Sequence, residues 1–221
     1  KKTFTLDLEC VKQGYANGIA PGFPFTEKEK WSMVDEAAEA YGKFLDALQC
    51  DWRNDPNSAD TPRRVAKAYV FDLWKGRYEA MSDITSFPSD GYQGIVLEKD
   101  IPLISQCSHH HQTIMGVVHI AYIPGPEGNV VGLSKLNRIV DHFGRRGAIQ
   151  EQLTMAIHNA IDKICEGNVG VMVMVKATHN CVSCRGVKHQ GASMMTSEVS
   201  GVFADHTKTA KMEVLEMIKM G

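Results

Sequence analysis

No segment of this sequence is apolar enough to cross a bilayer: the longest near-continuous apolar stretch, Val169 to Val175, falls far short of the roughly 18 residues that a span requires. Residues 1–25 carry charge and three glycines but no apolar run of the secretory type, so a cytoplasmic protein with no membrane partner is expected. Charge of one sign is also lacking. Lys and Arg total 24 against 26 Asp and Glu, a formal net charge of −2. Without a basic surplus no nucleic-acid partner is expected, and any anion must be met by a local cluster of cations. Six cysteines in 221 residues are too few for a disulfide scaffold, and their uneven placement points to metal or redox chemistry. There is no internal repeat and no low-complexity segment. What remains, 43% hydrophobic and 23% charged residues, is the composition of an ordinary globular protein of one large domain or two small ones.

The pattern along the chain predicts an α+β protein. Residues 1–25 lack a sustained period and end in Pro21, Gly22 and Pro24, so an irregular arm is expected, packed on something or mobile. Thr26 and Glu29 form a capping box ahead of Trp31, Val34, Ala38, Tyr41, Phe44, Leu45 and Leu48 at helical spacing, which predicts an amphipathic helix. Thr61 and Pro62 start a second helix that ends near Gly76, placing a helical region over 26–90. From 91 to 221 the expected order is two strands within Tyr92–Pro124, helices over Ser134–Arg146 and Ala148–Cys165, strands over Val169–Lys176 and Ser193–Phe203, and a terminal helix over Thr207–Met220. Val169–Lys176 is apolar on both faces, as an interior strand is.

Two clusters carry chemistry. Cys107-Ser108-His109-His110-His111 holds a thiol and three imidazoles in five residues, and His179-Asn180-Cys181-Val182-Ser183-Cys184 repeats the combination at the end of the buried strand. Zinc takes thiolate and imidazole ligands in tetrahedral geometry, with three protein ligands where the fourth position serves catalysis. Two sets are open. Cys107, His110 and Cys181 would leave a vacant position, with His109 and His179 free to carry protons; Cys107, His110, Cys181 and Cys184 would make a closed structural site, which the Cys-x-x-Cys spacing slightly favours. His119, His142, His158, His189 and His206 read as ordinary core or surface histidines, and Cys10, Cys50 and Cys165 as simple thiols.

Basic residues gather at helix starts. Arg64 and Lys67 lie in the first turns of the second helix, Lys135 and Arg138 follow Gly132-Leu133-Ser134, and Arg185 follows the second cluster. Each pair alone is commonly a solvated helix face, but helix N-termini attract anions, and three such groups suggest a polyphosphate site.

The order of these motifs, Thr61-Pro62-Arg63-Arg64-Val65-Ala66-Lys67, Cys107 to His110, Gly132-Leu133-Ser134-Lys135, Gln150-Glu151 and His179-Asn180-Cys181, resembles the GTP cyclohydrolase I family over roughly residues 30 to 205. The resemblance implies a T-fold, antiparallel strands with a helix pair on one face, assembled as a homodecamer with active sites at subunit interfaces. It implies GTP as substrate, with water, and 7,8-dihydroneopterin triphosphate and formate as products. It implies Zn2+ on Cys107, His110 and Cys181, His109 and His179 as catalytic proton carriers, and Glu151 reading the guanine edge with Gln150 beside it. Ser134, Lys135, Arg138, Arg185, Arg64 and Lys67 match positions that hold triphosphate or ribose. The chain departs from the family pattern at Ser108, where glutamate is usual, at His111, a reserve proton carrier on this reading, and at Cys184. Two other readings stand beside this one: an enzyme that stops at a formamidopyrimidine intermediate, and a zinc-stabilised nucleotide-binding module.

Overall fold

The computed structural model describes residues 6–220. After a helical turn, α1 (Leu6–Cys10), the chain runs through turns to α2 (Glu27–Ala47). The expected capping box is made: the Thr26 N–H donates to Glu29 Oε2 at 2.7 Å and the Glu29 N–H to Thr26 Oγ1 at 3.3 Å, satisfying donors that a helix start leaves open. Helix α3 (Thr61–Ala68) continues into a π-helical turn, Tyr69–Leu73. Val34, Ala66, Val70, Ala20 and Tyr78 form the core of this helical layer, with Trp31, Phe71 and Trp74 packed around them.

The second layer is a sheet of four antiparallel strands in the order β2-β3-β5-β6, formed by β2 (Val96–Gln106), β3 (Thr113–Pro124), β5 (Asn168–His179) and β6 (Met194–Val199). Two short strands that the sequence reading lacks, β1 (Ser86–Pro88) and β4 (Asn129–Val131), pair as a separate ribbon; three residues are too few to show a period. Helices α4 (Leu133–Gly144) and α5 (Gln150–Ile164) cover one face of the large sheet. Ile139, Phe143, Leu153, Ile157 and Ile161 meet Val118, Ile120, Val173 and Val175 there, each fully buried apolar side chain contributing about 1.5–3 kcal/mol. The opposite face of β5, Met172 and Met174, packs with Ala121 against Phe203 and Val214 of α7 (Ala210–Lys219). Apolar cover on both sides explains the unalternating sequence of β5. The remaining element, α6 (Asn180–Ser183), follows β5 directly.

The helical layer joins the sheet layer at Gly76, whose N–H donates to Arg145 O at 3.0 Å and where a Cβ would lie 2.3 Å from His142 O. The arm, expected to be irregular over 1–25, holds the α1 turn, while residues 1–5 lie outside the described residues. Asp7 anchors it. Its carboxylate accepts from the Met81 N–H at 3.0 Å, meets His142 Nε2 at 2.5 Å and pairs with the fully buried Arg146. Burial pushes the Asp7 carboxyl up, but the His142 hydrogen bond and charge, the Met81 N–H and Arg146 outweigh it and hold the group below its ordinary 3.8. This stabilisation is complete above the unfolded carboxyl's value and is lost as pH falls through the lower folded value. Asp7→Ala should cost about 3 kcal/mol in urea unfolding at pH 7, because it strands a buried guanidinium. A loss under about 1 kcal/mol would show that the arm is not tied down through this pair.

Candidate active site

The β2–β3 connection is a tight turn built from Cys107 to Gln112. The Cys107 N–H donates to Gln112 O at 2.8 Å and the His111 N–H to Cys107 O at 2.8 Å, while the Ser108 and Ala148 N–H groups tie the turn and its flank to the α4–α5 loop. His111 takes a left-handed φ of 52°, a conformation costly for most side chains and sustained here by its surroundings. Gln106 Nε2 donates to His111 O at 2.9 Å and to the Tyr69 hydroxyl at 3.2 Å, and the His111 ring packs on Trp74 and Tyr69. His111 fixes the turn to the helical layer.

The register of β3 on β5 sets Ile114 opposite His179, so the turn and the start of α6 lie together. The ligand atoms of Cys107, His179 and Cys181 all fall within 4.8 Å of one another. Burial and the neighbouring Cys107 thiol raise the Cys181 thiol, with Arg185 pulling it down. Two thiols facing each other resist joint ionisation unless a cation joins them. The donor set of two sulfurs and an imidazole therefore fits a thiophilic metal. The expected set of Cys107, His110 and Cys181 shares its two sulfurs with this group; His110 stands exposed on the turn beside His109, their rings 6.4 Å apart, and its nitrogens are outside the converging three.

Gln150, the first residue of α5, is completely buried. Its Nε2 donates to Val175 O, Met194 O and Thr196 Oγ1 at 3.1–3.2 Å, which fixes the amide and leaves Oε1 to accept from His179 Nε2 at 2.8 Å. In neutral His179 the proton accordingly sits on Nε2 and Nδ1 holds the lone pair. Burial pushes His179 below its ordinary 6.5, and the nearby Glu151 carboxylate draws it partly back. Glu151 is exposed at the start of α5. The resemblance sets Gln150 beside the base, whereas its amide is spent on this belt; a glutamine gives no local sign of which distant carbonyls it will meet.

Three of the basic residues line two separate clefts. Arg138 lines a cleft of about 390 Å³ with Lys75, Glu79 and Asp141, whereas Arg64 and Lys67 line another of about 300 Å³ with Trp31. Ser134 is exposed and Lys135 half-buried at the start of α4. Arg185, also exposed, follows α6 and donates to Cys181 O at 3.4 Å.

The GTP cyclohydrolase I family profile matches residues 37–219. Relatives named GTP cyclohydrolase 1 from Bacillus mycoides (strain KBAB4), Bacillus cereus (strain B4264) and Bacillus anthracis (strain CDC 684 / NRRL 3495) are each 42% identical over 170 residues, covering 75% of this chain and 88% of the relative. Among solved structures, the archaeosine synthase QueF-Like in the apo form aligns with a TM-score of 0.40 and 20% identity over 48% of this chain and 93% of that one. The chain belongs to the GTP cyclohydrolase I family, a family of hydrolases.

In metal-free protein the His179 imidazole should titrate below 6.5 by NMR, and Glu151→Gln should lower it further by removing the one nearby charge that favours the imidazolium. A rise on that substitution would contradict the placement of Glu151 beside His179.

Proposed function

We propose that the protein converts GTP and water to 7,8-dihydroneopterin triphosphate and formate, with zinc held by Cys107, His110 and Cys181. The observation that carries the reading is the meeting of Cys107, Cys181 and His179 within 4.8 Å in a member of this family. A zinc ion bound there supplies Lewis-acid activation of water at neutral pH. The family resemblance supports His110 as the third ligand, on the same turn as Cys107 and exposed beside His109. His179 then moves protons at Nδ1, its tautomer fixed by Gln150, and exposed His109 exchanges protons with solvent and substrate. Gln150 acts through His179 and not on the base. Glu151, exposed at the start of α5, accepts from the N1 and 2-amino hydrogens of guanine, a pattern that adenine does not present.

Triphosphate and ribose fall to Ser134, Lys135, Arg138, Arg185, Arg64 and Lys67, since a polyanion needs several charge-assisted bonds. Their division between separate clefts supports a site completed by neighbouring copies, in a cytoplasmic homodecamer. Among the described residues β2 and β6 are the unpaired edge strands of the sheet, and Ile104 on β2 and Met195 on β6 are exposed, which supports assembly because open sheet edges seek partners. Residues 26–90 serve as the helical region of the subunit and 91–221 as its catalytic unit.

Two measurements test this. Metal analysis should find one zinc per subunit, lost in Cys181→Ser and His110→Ala but kept in His179→Ala, whose turnover should fall at least about 100-fold. Retention in His110→Ala with loss in His179→Ala would move the third ligand to His179. Incubation with GTP should release formate and fluorescent pterin in equal amounts. Intermediate without formate would favour an enzyme that stops early, and binding without either product would favour a nucleotide-binding module.

A further inference from the structure

Cys181 has a second sulfur neighbour in sequence, and α6 determines where it lies. Cys184 caps this single turn, its N–H donating to Asn180 O at 3.0 Å and its Sγ lying 2.6 Å from the same oxygen. The side chain is thus turned back toward the first residues of α6, the stretch that carries Cys181. On a helical turn, positions i and i+3 bring Cβ atoms to about 5–6 Å, and a disulfide needs about 3.8 Å, so closing the pair takes a tightening of about 2 Å within α6. The two thiols differ in access. Cys184 is exposed, Cys181 is half-buried, and Cys107, the sulfur that faces Cys181 inside the site, is 4% exposed.

We infer that Cys181 and Cys184 form a reversible disulfide under peroxide that takes Cys181 out of the metal-binding set. The inference rests on the zinc reading given above. The Cys184 thiolate attacks peroxide first because it is the exposed sulfur; the O–O bond breaks, Cys184 becomes a sulfenic acid and hydroxide leaves. The Cys181 thiolate then attacks the Cys184 sulfur, the S–S bond forms, the S–O bond breaks, and the departing hydroxide takes up a proton as water. Two thiols and one peroxide give one disulfide and two waters, the two electrons passing from sulfur to peroxide. A thiol reductant reverses the process by exchange and returns Cys181 to the site. Neither Ser108 nor the buried Cys107 offers an equivalent route, because one has no sulfur and the other is screened from the oxidant.

The test treats the purified, metal-loaded protein with hydrogen peroxide, follows zinc with a chromogenic chelator and maps disulfides by peptide mass spectrometry. The expected result is a Cys181–Cys184 linkage appearing together with release of zinc, both reversed by dithiothreitol with added zinc. Cys184→Ser and Cys184→Ala, with unchanged turnover before treatment, should lose zinc at least about tenfold more slowly. A dominant Cys107–Cys181 linkage, or zinc loss from Cys184→Ser at the wild-type rate, would overturn the inference. Failure of the zinc reading would show separately, as protein purified without stoichiometric zinc, and the peptide map would still decide the disulfide.

Discussion

The register of β3 against β5, with Ile114 opposite His179 and Val118 opposite Val175, is the constraint on which the site depends. The first cluster begins where β2 ends and the second where β5 ends, so their meeting is a property of strand pairing. Side chains alternate faces with a period of two, and a slip of one residue would turn the apolar set of β5 away from α4 and α5. A slip of two would keep the faces but carry Cys181 about 7 Å along the sheet from Cys107. Burial of both faces of β5 is therefore what holds two thiols and an imidazole together. The close approach at Gly116, where a Cβ would come 2.0 Å from Lys176 O, pins the same pairing from the β3 side.

Upon that frame two polar devices set the chemistry. The buried amide of Gln150 joins α5, β5 and β6 and passes its last acceptor to His179, so that helix packing and imidazole tautomer are one arrangement. The His111 clamp does the same for the turn, through Gln106, Tyr69 and Trp74. Both supports fix the orientation of groups beside the two sulfurs. The Asp7, His142 and Arg146 cluster plays the corresponding part for the arm.

Much of this was legible in the sequence because it is local or periodic. The capping box of α2, the helical spacing in α4 and α5, and the unbroken apolar run of β5 each announce their element within a few residues. Cys107 and Cys181 were also legible, by type, as sulfur donors that could hold a metal. What depends on distant partners was not: the three-residue strands β1 and β4, the anchoring of Asp7, the Gln150 belt, and the packing of His111 on Tyr69 and Trp74. The imidazole that stands with the two sulfurs belongs to the same class. Spacing offers His110, whereas the strand register brings His179 toward the sulfurs, and side-chain rotation on a turn leaves no trace in a sequence. Separation of Arg64 and Lys67 from Arg138 was likewise beyond motif reading, since each pair obeys the same helix-start rule.

The central claim is that a mixed sulfur and nitrogen metal centre, and not a closed thiolate site, lies at this sheet end. X-ray absorption at the zinc edge of the purified protein tests it most directly. The account predicts two sulfur ligands at about 2.3 Å and one imidazole nitrogen at about 2.0–2.1 Å, with a light-atom ligand completing the coordination. Three sulfurs, with Cys184 as the third, would contradict it.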